Sequence, residues 1–307
     1  YDLPAQPVLV DVARDGKPVP GGAQVTKMGF VFLLHRLTGE PLFPVEERPV
    51  PKSILPGEES WPTQPYPVKP APFSRQSMTR DEITDVTPES RRECQEMLKD
   101  ATLDVKIYDP IGEKQAVLFP GLNGGTNWGG ASFDPETHTL YVNSMDVGGL
   151  FRMVKTREGA KVPFALRGSK YEFLWDSNGY PCQKTPWGML NAIDLNTGEY
   201  RWRTVLGEFD ELKARGVPQT GAPNIGGTVV TAGGLIFIAA TNDGKFRAFD
   251  KETGEELWIK KLPASGMATP MTYLGKKTGK QFVVIAAGGG NKYEKKFTGK
   301  LVAFSLP

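Results

Sequence analysis

Histidine and cysteine are nearly missing from this chain: His35 and His138, Cys94 and Cys182 are all there are in 307 residues. With no C-x-x-C pair and two imidazoles, a zinc site built by this chain alone is all but excluded. No apolar run reaches the roughly 20 residues that a membrane-spanning helix needs. The first residues show no basic n-region followed by an apolar h-region. An excess of one charge is also lacking, since 37 basic and 35 acidic residues leave a net +2. No basic stripe with interleaved aromatics is present, so nucleic acid is not expected as a partner. The cysteines leave two readings, buried thiols or a single disulfide in an exported protein. The loop setting of Cys182, in Gly179-Tyr180-Pro181-Cys182, favours the disulfide.

Glycine and proline are plentiful, at 35 and 26 residues, as in a turn-rich all-β repeat protein. Asn191 to Trp202 and Arg247 to Trp258 both read A-[apolar]-D-x-x-T-G-E-x-x-W. Gly198 and Gly254 stand about 56 residues apart, a period of repeated supersecondary units. Each unit reads as strand, tight turn, strand. The aspartate bonds its own downstream backbone, Thr-Gly supplies a turn with positive φ, and the tryptophan packs on a neighbouring unit. His35-Arg36-Leu37-Thr38-Gly39-Glu40 is a worn copy of the turn, about three periods earlier.

Residues 25–34 read as one buried strand. Residues 41–77, rich in proline, read as an extended surface excursion. Thr79-x-x-Glu82 has capping-box spacing, and Thr87-Pro88 offers an N-cap and N1 proline for a helix to about Leu98. Strands are expected at 117–119, 131–133, 140–143, 189–194, 228–231, 234–240, 245–249, 282–287 and 300–305. The sum is an all-β chain, 1–307, forming one partial β-propeller domain of four-stranded antiparallel blades. Irregular insertions fall near 41–116 and 155–185, with short helices. About four blades' worth of strand is present, either a small closed propeller or part of a larger one.

Several further segments carry a resemblance: Tyr1-Asp2-Leu3-Pro4-Ala5-Gln6-Pro7, Lys27-Met28-Gly29-Phe30-Val31-Phe32, Thr63-Gln64-Pro65, Phe119-Pro120-Gly121, Asn127-Trp128-Gly129-Gly130, Pro181-Cys182, Pro186-Trp187-Gly188, Gly266-Met267-Ala268-Thr269-Pro270 and Val283 to Gly290. In this order they resemble the pyrroloquinoline quinone (PQQ)-dependent dehydrogenases, and in particular the membrane-type glucose and quinate branch. That family has eight-bladed propellers with tryptophan-docking repeats, so the resemblance implies about half a propeller, the C-terminal half. It implies PQQ as cofactor and a calcium or magnesium ion held mainly by the other half, with no metal ligand assigned here. The expected partners are a sugar or polyol substrate, a membrane quinone or cytochrome as electron acceptor, and the N-terminal half of the same propeller. The expected location is the periplasm, with attachment to the inner membrane through an earlier segment. In the family the catalytic aspartate falls just before the position of Tyr1, and Asp2 matches the next aspartate. This stretch is therefore expected to be inactive alone.

Oxidising a hydroxyl with a quinone requires a base, a cation against the quinone oxygens, and a held ring. Lys27, read as a lysine in an apolar strand, must have a partner or a purpose. The resemblance makes it catalytic and cofactor-binding; a snorkelling strand-edge lysine is the bland alternative. Asn127 and Trp128 lie between glycines that permit close approach to a flat ligand, or form only a turn. Asn143, read at a strand end, matches a cofactor contact in the glucose dehydrogenase branch, and strand-ending asparagines are also common. Asn224 stands where relatives line the cofactor pocket. Asp194, Asp250 and His35 are assigned to turns, and His138 to an exposed hairpin. Trp187 is either blade packing or pocket wall. Lys292, Lys295, Lys296 and Lys300 read as a solvated basic loop. The competing reading is a non-catalytic propeller scaffold, which has no use for Lys27 and a glycine-flanked amide on the ring axis.

Overall fold

The computed structural model describes residues 1–167, 173–290 and 294–306. Strands β1 (Val8–Arg14), β2 (Lys17–Val25) and β3 (Val31–His35) form a first antiparallel sheet in chain order. Asp15 and Gly16, both at positive φ, make the tight β1–β2 turn. An aspartate–glycine pair is suited to such turns. An insertion follows with the hairpin β4 (Val45–Pro49) and β5 (Thr63–Pro67), helix α1 (Pro88–Leu98) and β6 (Ala116–Leu118). The Thr87 side chain accepts from Ser90 N–H and Pro88 sits at the first turn, so α1 starts and stops where its caps place it.

A second sheet begins with β7 (Ser132–Asp134) and β8 (Thr139–Met145), then the chain leaves through β9 (Gly149–Lys155) and β10 (Phe164–Arg167). It returns as β11 (Gly188–Asp194) and β12 (Glu199–Val205), completing the order β12-β11-β8-β7. Helix α2 (Asp210–Ala214) leads to the third sheet, β13 (Val229–Val230), β14 (Leu235–Ile238), β15 (Lys245–Asp250) and β16 (Glu256–Lys261). The last sheet is β17 (Met271–Leu274), β18 (Gln281–Gly289) and β19 (Phe297–Ser305). The leading strands β1, β7 and β13 neighbour one another, as successive blades do around an axis. Among the described residues these four sheets are propeller blades, with few short helices.

The repeat explains itself in the geometry. Asp194 Oδ1 accepts from Asn196 N–H (2.8 Å), and Asp250 Oδ1 accepts from Glu252 and Thr253 N–H (both 2.8 Å). His35 does the same work at its turn, Nδ1 accepting from Thr38 N–H at 3.2 Å. The motif alanines face the motif tryptophans across the strands, Ala192 opposite Trp202 and Ala248 opposite Trp258, each followed by the same register shift. A larger side chain there would compete with the indole. Trp202 then reaches the next blade: its Nε1–H donates to Lys251 O (3.0 Å) and its ring covers Gly254.

Gly39 and Gly254 occupy the same turn position at φ +78° and +74°, but only Gly254 lies under an indole. Gly39→Ala is expected to cost about 1–2 kcal/mol from the left-handed backbone alone. Gly254→Ala is expected to cost at least about 1 kcal/mol more, because its Cβ would meet the Trp202 ring. Urea unfolding of the two variants checks the difference; equal losses would mean that Trp202 does not dock there.

Three expectations are corrected. Residues 25–34 are two strands and a turn, because Gly29 at φ +81° and hydrogen bonds between Thr26 and Phe30 break the run. The two insertions are not irregular throughout. Strand β9 pairs with both β10 and β6, and Cys94 and Cys182 form a disulfide that ties α1 to the second insertion. Around it Met78, Leu98, Val117, Phe119 and Leu174 make a small core of their own. His138 is half-buried rather than exposed, with Nδ1 2.8 Å from Asp11 O. Trp187 is fully buried against Tyr180 and Phe209 and is packing, not pocket wall. Lys295, Lys296 and Lys300 are exposed, and Lys292 lies outside the described residues.

Candidate functional site

Lys27 sits on the β2–β3 turn rather than within a strand. Its side chain is only 16% exposed, and Nζ lies 2.6 Å from Asp2 Oδ1. That bond holds the Asp2 carboxyl below its ordinary range even though most of the carboxylate faces water. The lysine stem is pinned from behind: a Cβ on Gly124 would fall 2.4 Å from Lys27 Cγ. Gly125 N–H donates to Lys27 O (2.8 Å), and Met145 N–H donates to Gly125 O (2.7 Å). The loop carrying Asn127 therefore wedges between the Lys27 turn and the end of β8.

The glycines of that loop serve chain-to-chain contact, not approach to a flat ligand as the sequence suggested. Gly124 and Gly125 meet Lys27 and Ser74, and Gly129 meets the backbone of Gly226 and Gly227. The Asn127 amide closes its own loop, Nδ2 donating to Asn123 O (2.8 Å) and Oδ1 accepting from Trp128 N–H (2.9 Å). The Trp128 ring is 77% exposed. Asn143 lies inside β8, which continues to Met145, and is not at a strand end. Its Nδ2 donates to Asn224 Oδ1 (2.7 Å), while Asn224 Nδ2 donates to Ser144 O (2.9 Å). Both asparagines are buried, and among the described residues Asn143 Oδ1 and Thr126 Oγ1 have no hydrogen-bond partner. Buried polar atoms with unused capacity call for water or a ligand.

In front of Lys27 opens a cleft of about 610 Å³ lined by Tyr1, Asp2, Lys27, Tyr108, Asp109 and Pro120, among others. Its size suits a small-molecule ligand. Of the five predicted residues, only Lys27 lines it. The other four stand behind and beside the lysine, linked through Gly125 and the Asn143–Asn224 pair. Sequence reasoning missed Tyr1, Tyr108 and Asp109 and did not assign Asp2 a site role. It also missed Asp146, a buried carboxyl beside this loop. Asp146 Oδ1 accepts from Arg75 N–H at 2.9 Å, and burial pushes its pKa up. Among the described residues no group of three or more His, Cys, Asp or Glu is placed to hold a metal.

A cationic side chain beside a ligand-sized cleft, at one end of propeller blades, is the setting the resemblance implies. The family model for the PQQ glucose/ethanol/alcohol dehydrogenase β-propeller domain matches residues 1–283. The chain belongs to this family. It is 35% identical over 316 residues to the quinate/shikimate dehydrogenase (quinone) of Acinetobacter baylyi, covering 95% of this chain and 39% of that protein. It is 33% identical to the quinoprotein glucose dehydrogenase of Escherichia coli, covering all of this chain and 41% of the relative. The solved structure of a europium-containing methanol dehydrogenase superposes on 94% of this chain and 40% of its own, at TM-score 0.58 and 23% identity, which supports the fold. The chain thus spans about two-fifths of the length of these curated relatives. Membership brings PQQ as the family's cofactor together with a metal ion such as calcium.

Proposed function

We propose that this chain is the C-terminal part of a PQQ-dependent dehydrogenase that oxidises a hydroxyl of a sugar or polyol to a carbonyl or lactone. The observation that carries the reading is Lys27, a mostly buried ammonium at the wall of the cleft. When bound, PQQ supplies the two-electron acceptor for the hydrogen leaving the substrate carbon. Lys27 would hold its carbonyl oxygens, placing three donors and a positive charge where negative charge develops. Among the described residues the buried Thr126 hydroxyl has no hydrogen-bond partner, so it would be free to donate to an oxygen of such a ligand.

Lys27 is not the base, since an ammonium has no lone pair to accept a proton. The base and the metal ligands are assigned to the rest of the propeller, consistent with the share of the relatives that this chain spans. The stretch by itself should then be inactive and should associate through the apolar faces of its end sheet, where Phe297 and Leu301 are exposed. The Cys94–Cys182 disulfide supports a periplasmic location, since such bonds persist in oxidising compartments. A membrane quinone or a cytochrome is the proposed electron acceptor.

The test is dye reduction by the intact protein with glucose, glycerol and quinate, with and without PQQ and calcium. Turnover that requires PQQ is expected with at least one of them. An intact protein that neither binds PQQ nor reduces dye would return the chain to a scaffold role.

A further inference from the structure

We propose that Tyr108 seats the substrate's hydroxyl groups in front of Lys27, so that the cleft selects polyhydroxylated compounds. The proposal rests on the dehydrogenase reading above.

Tyr108 sits on a closed turn near the end of the first insertion. Asp109 N–H donates to Lys106 O (3.0 Å), and Lys106 N–H donates to Asp109 Oδ2 (2.9 Å). The Tyr108 backbone lies at φ +71°, a region an aromatic residue rarely occupies. Such conformations persist where surrounding structure over-determines them, and they gather at binding sites. Here the surroundings are specific. The Tyr108 ring stands edge-on to Tyr66 (5.5 Å), and Tyr66 packs on Phe30 (5.7 Å) beneath the Arg48 guanidinium. Met28, Phe30 and Ile107 form the core of this contact.

Met28 and Phe30 follow Lys27 on the same turn. One small core therefore fixes both the cation and the tyrosine, and both line the cleft. The Tyr108 hydroxyl has no hydrogen bond to another described residue, whereas the Tyr66 hydroxyl donates to Ile107 O at 3.4 Å. A phenol both donates and accepts, which matches an alcohol group. Burial, with the Tyr66 phenol beside it, pushes the Tyr108 pKa up to about 12, so the proton stays available as a donor.

Tyr108→Phe in the intact, PQQ-loaded protein is expected to raise KM about tenfold for the glucose, glycerol or quinate that wild type oxidises. The kcat should stay within about twofold, and PQQ affinity by fluorescence quenching should not change. Tyr66→Phe, whose hydroxyl faces Ile107 rather than the cleft, should leave KM within about twofold. If Tyr108→Phe does not fold, Tyr108→Asn suits the positive φ and is too short to replace the phenol, so the same rise in KM is expected. An unchanged KM overturns the proposal, as does weakened PQQ binding at constant KM, which would put Tyr108 on the cofactor. A wild-type protein that oxidises none of the three compounds rejects the dehydrogenase reading itself, and this proposal with it.

Discussion

Lys27→Ala in the intact, PQQ-loaded protein is expected to lower kcat by about 10²–10³-fold, the usual effect of removing one preorganised charge from a reacting oxygen. The loss should fall mainly on kcat, because the ammonium matters most when negative charge develops on that oxygen. Lys27→Arg should not restore it. The pocket behind the lysine is filled by Gly124, and the planar guanidinium does not reproduce a compact ammonium. Thermal unfolding should change little, because the partner Asp2 is largely exposed and keeps its hydration when the lysine is removed. Steady-state kinetics with one polyol reads both parameters. A variant that keeps wild-type kcat would show that Lys27 is only the counter-ion of Asp2.

Joint replacement of Cys94 and Cys182 by alanine is expected to cost about 2–5 kcal/mol of unfolding free energy. The bond spans 88 residues of sequence, so cutting it frees a long loop in the unfolded chain. It also staples two insertions whose shared core is small. Met78, Leu98 and Leu174 meet around the sulfurs, and both cysteines are fully buried. The effect should be local as well as global. Helix α1 should lose amide-exchange protection before the blades do, because the blades have their own strand pairing. Leu118 and Pro120, at the edge of the same core, line the cleft, so KM should rise too. Urea unfolding with hydrogen exchange checks both parts. A loss below about 1 kcal/mol with α1 still protected would mean that packing alone holds the insertions.

The blades were legible because their information is local. An aspartate that bonds the next turn, a glycine at positive φ and an alanine facing a tryptophan are all set within a dozen residues. Helix α1 was legible for the same reason, through Thr87 and Pro88. Strands β9 and β10 were not, because β9 pairs with β6 at the edge of the other insertion and β10 pairs in turn with β9. The Asp15-Gly16 hairpin carried a usable signal that the reading passed over. At the site, the apolar run around Lys27 hid the turn that Gly29 makes. The Asp2–Lys27 pair and the packing of Tyr108 on Tyr66 left no pattern in sequence, because each depends on segments meeting in space. The glycines near Asn127 were read as room for a ligand, but that room is taken by Lys27, Ser74 and Gly226. Family resemblance pointed to Lys27, which lines the cleft, and to four residues that do not.

The most direct measurement is a crystal structure of the intact protein with PQQ bound. The account predicts the cofactor in front of Lys27, with Nζ within about 3 Å of a quinone oxygen and Asp2 turned away or sharing the ammonium. A cofactor bound elsewhere, with Lys27 still paired to Asp2 alone, would contradict it.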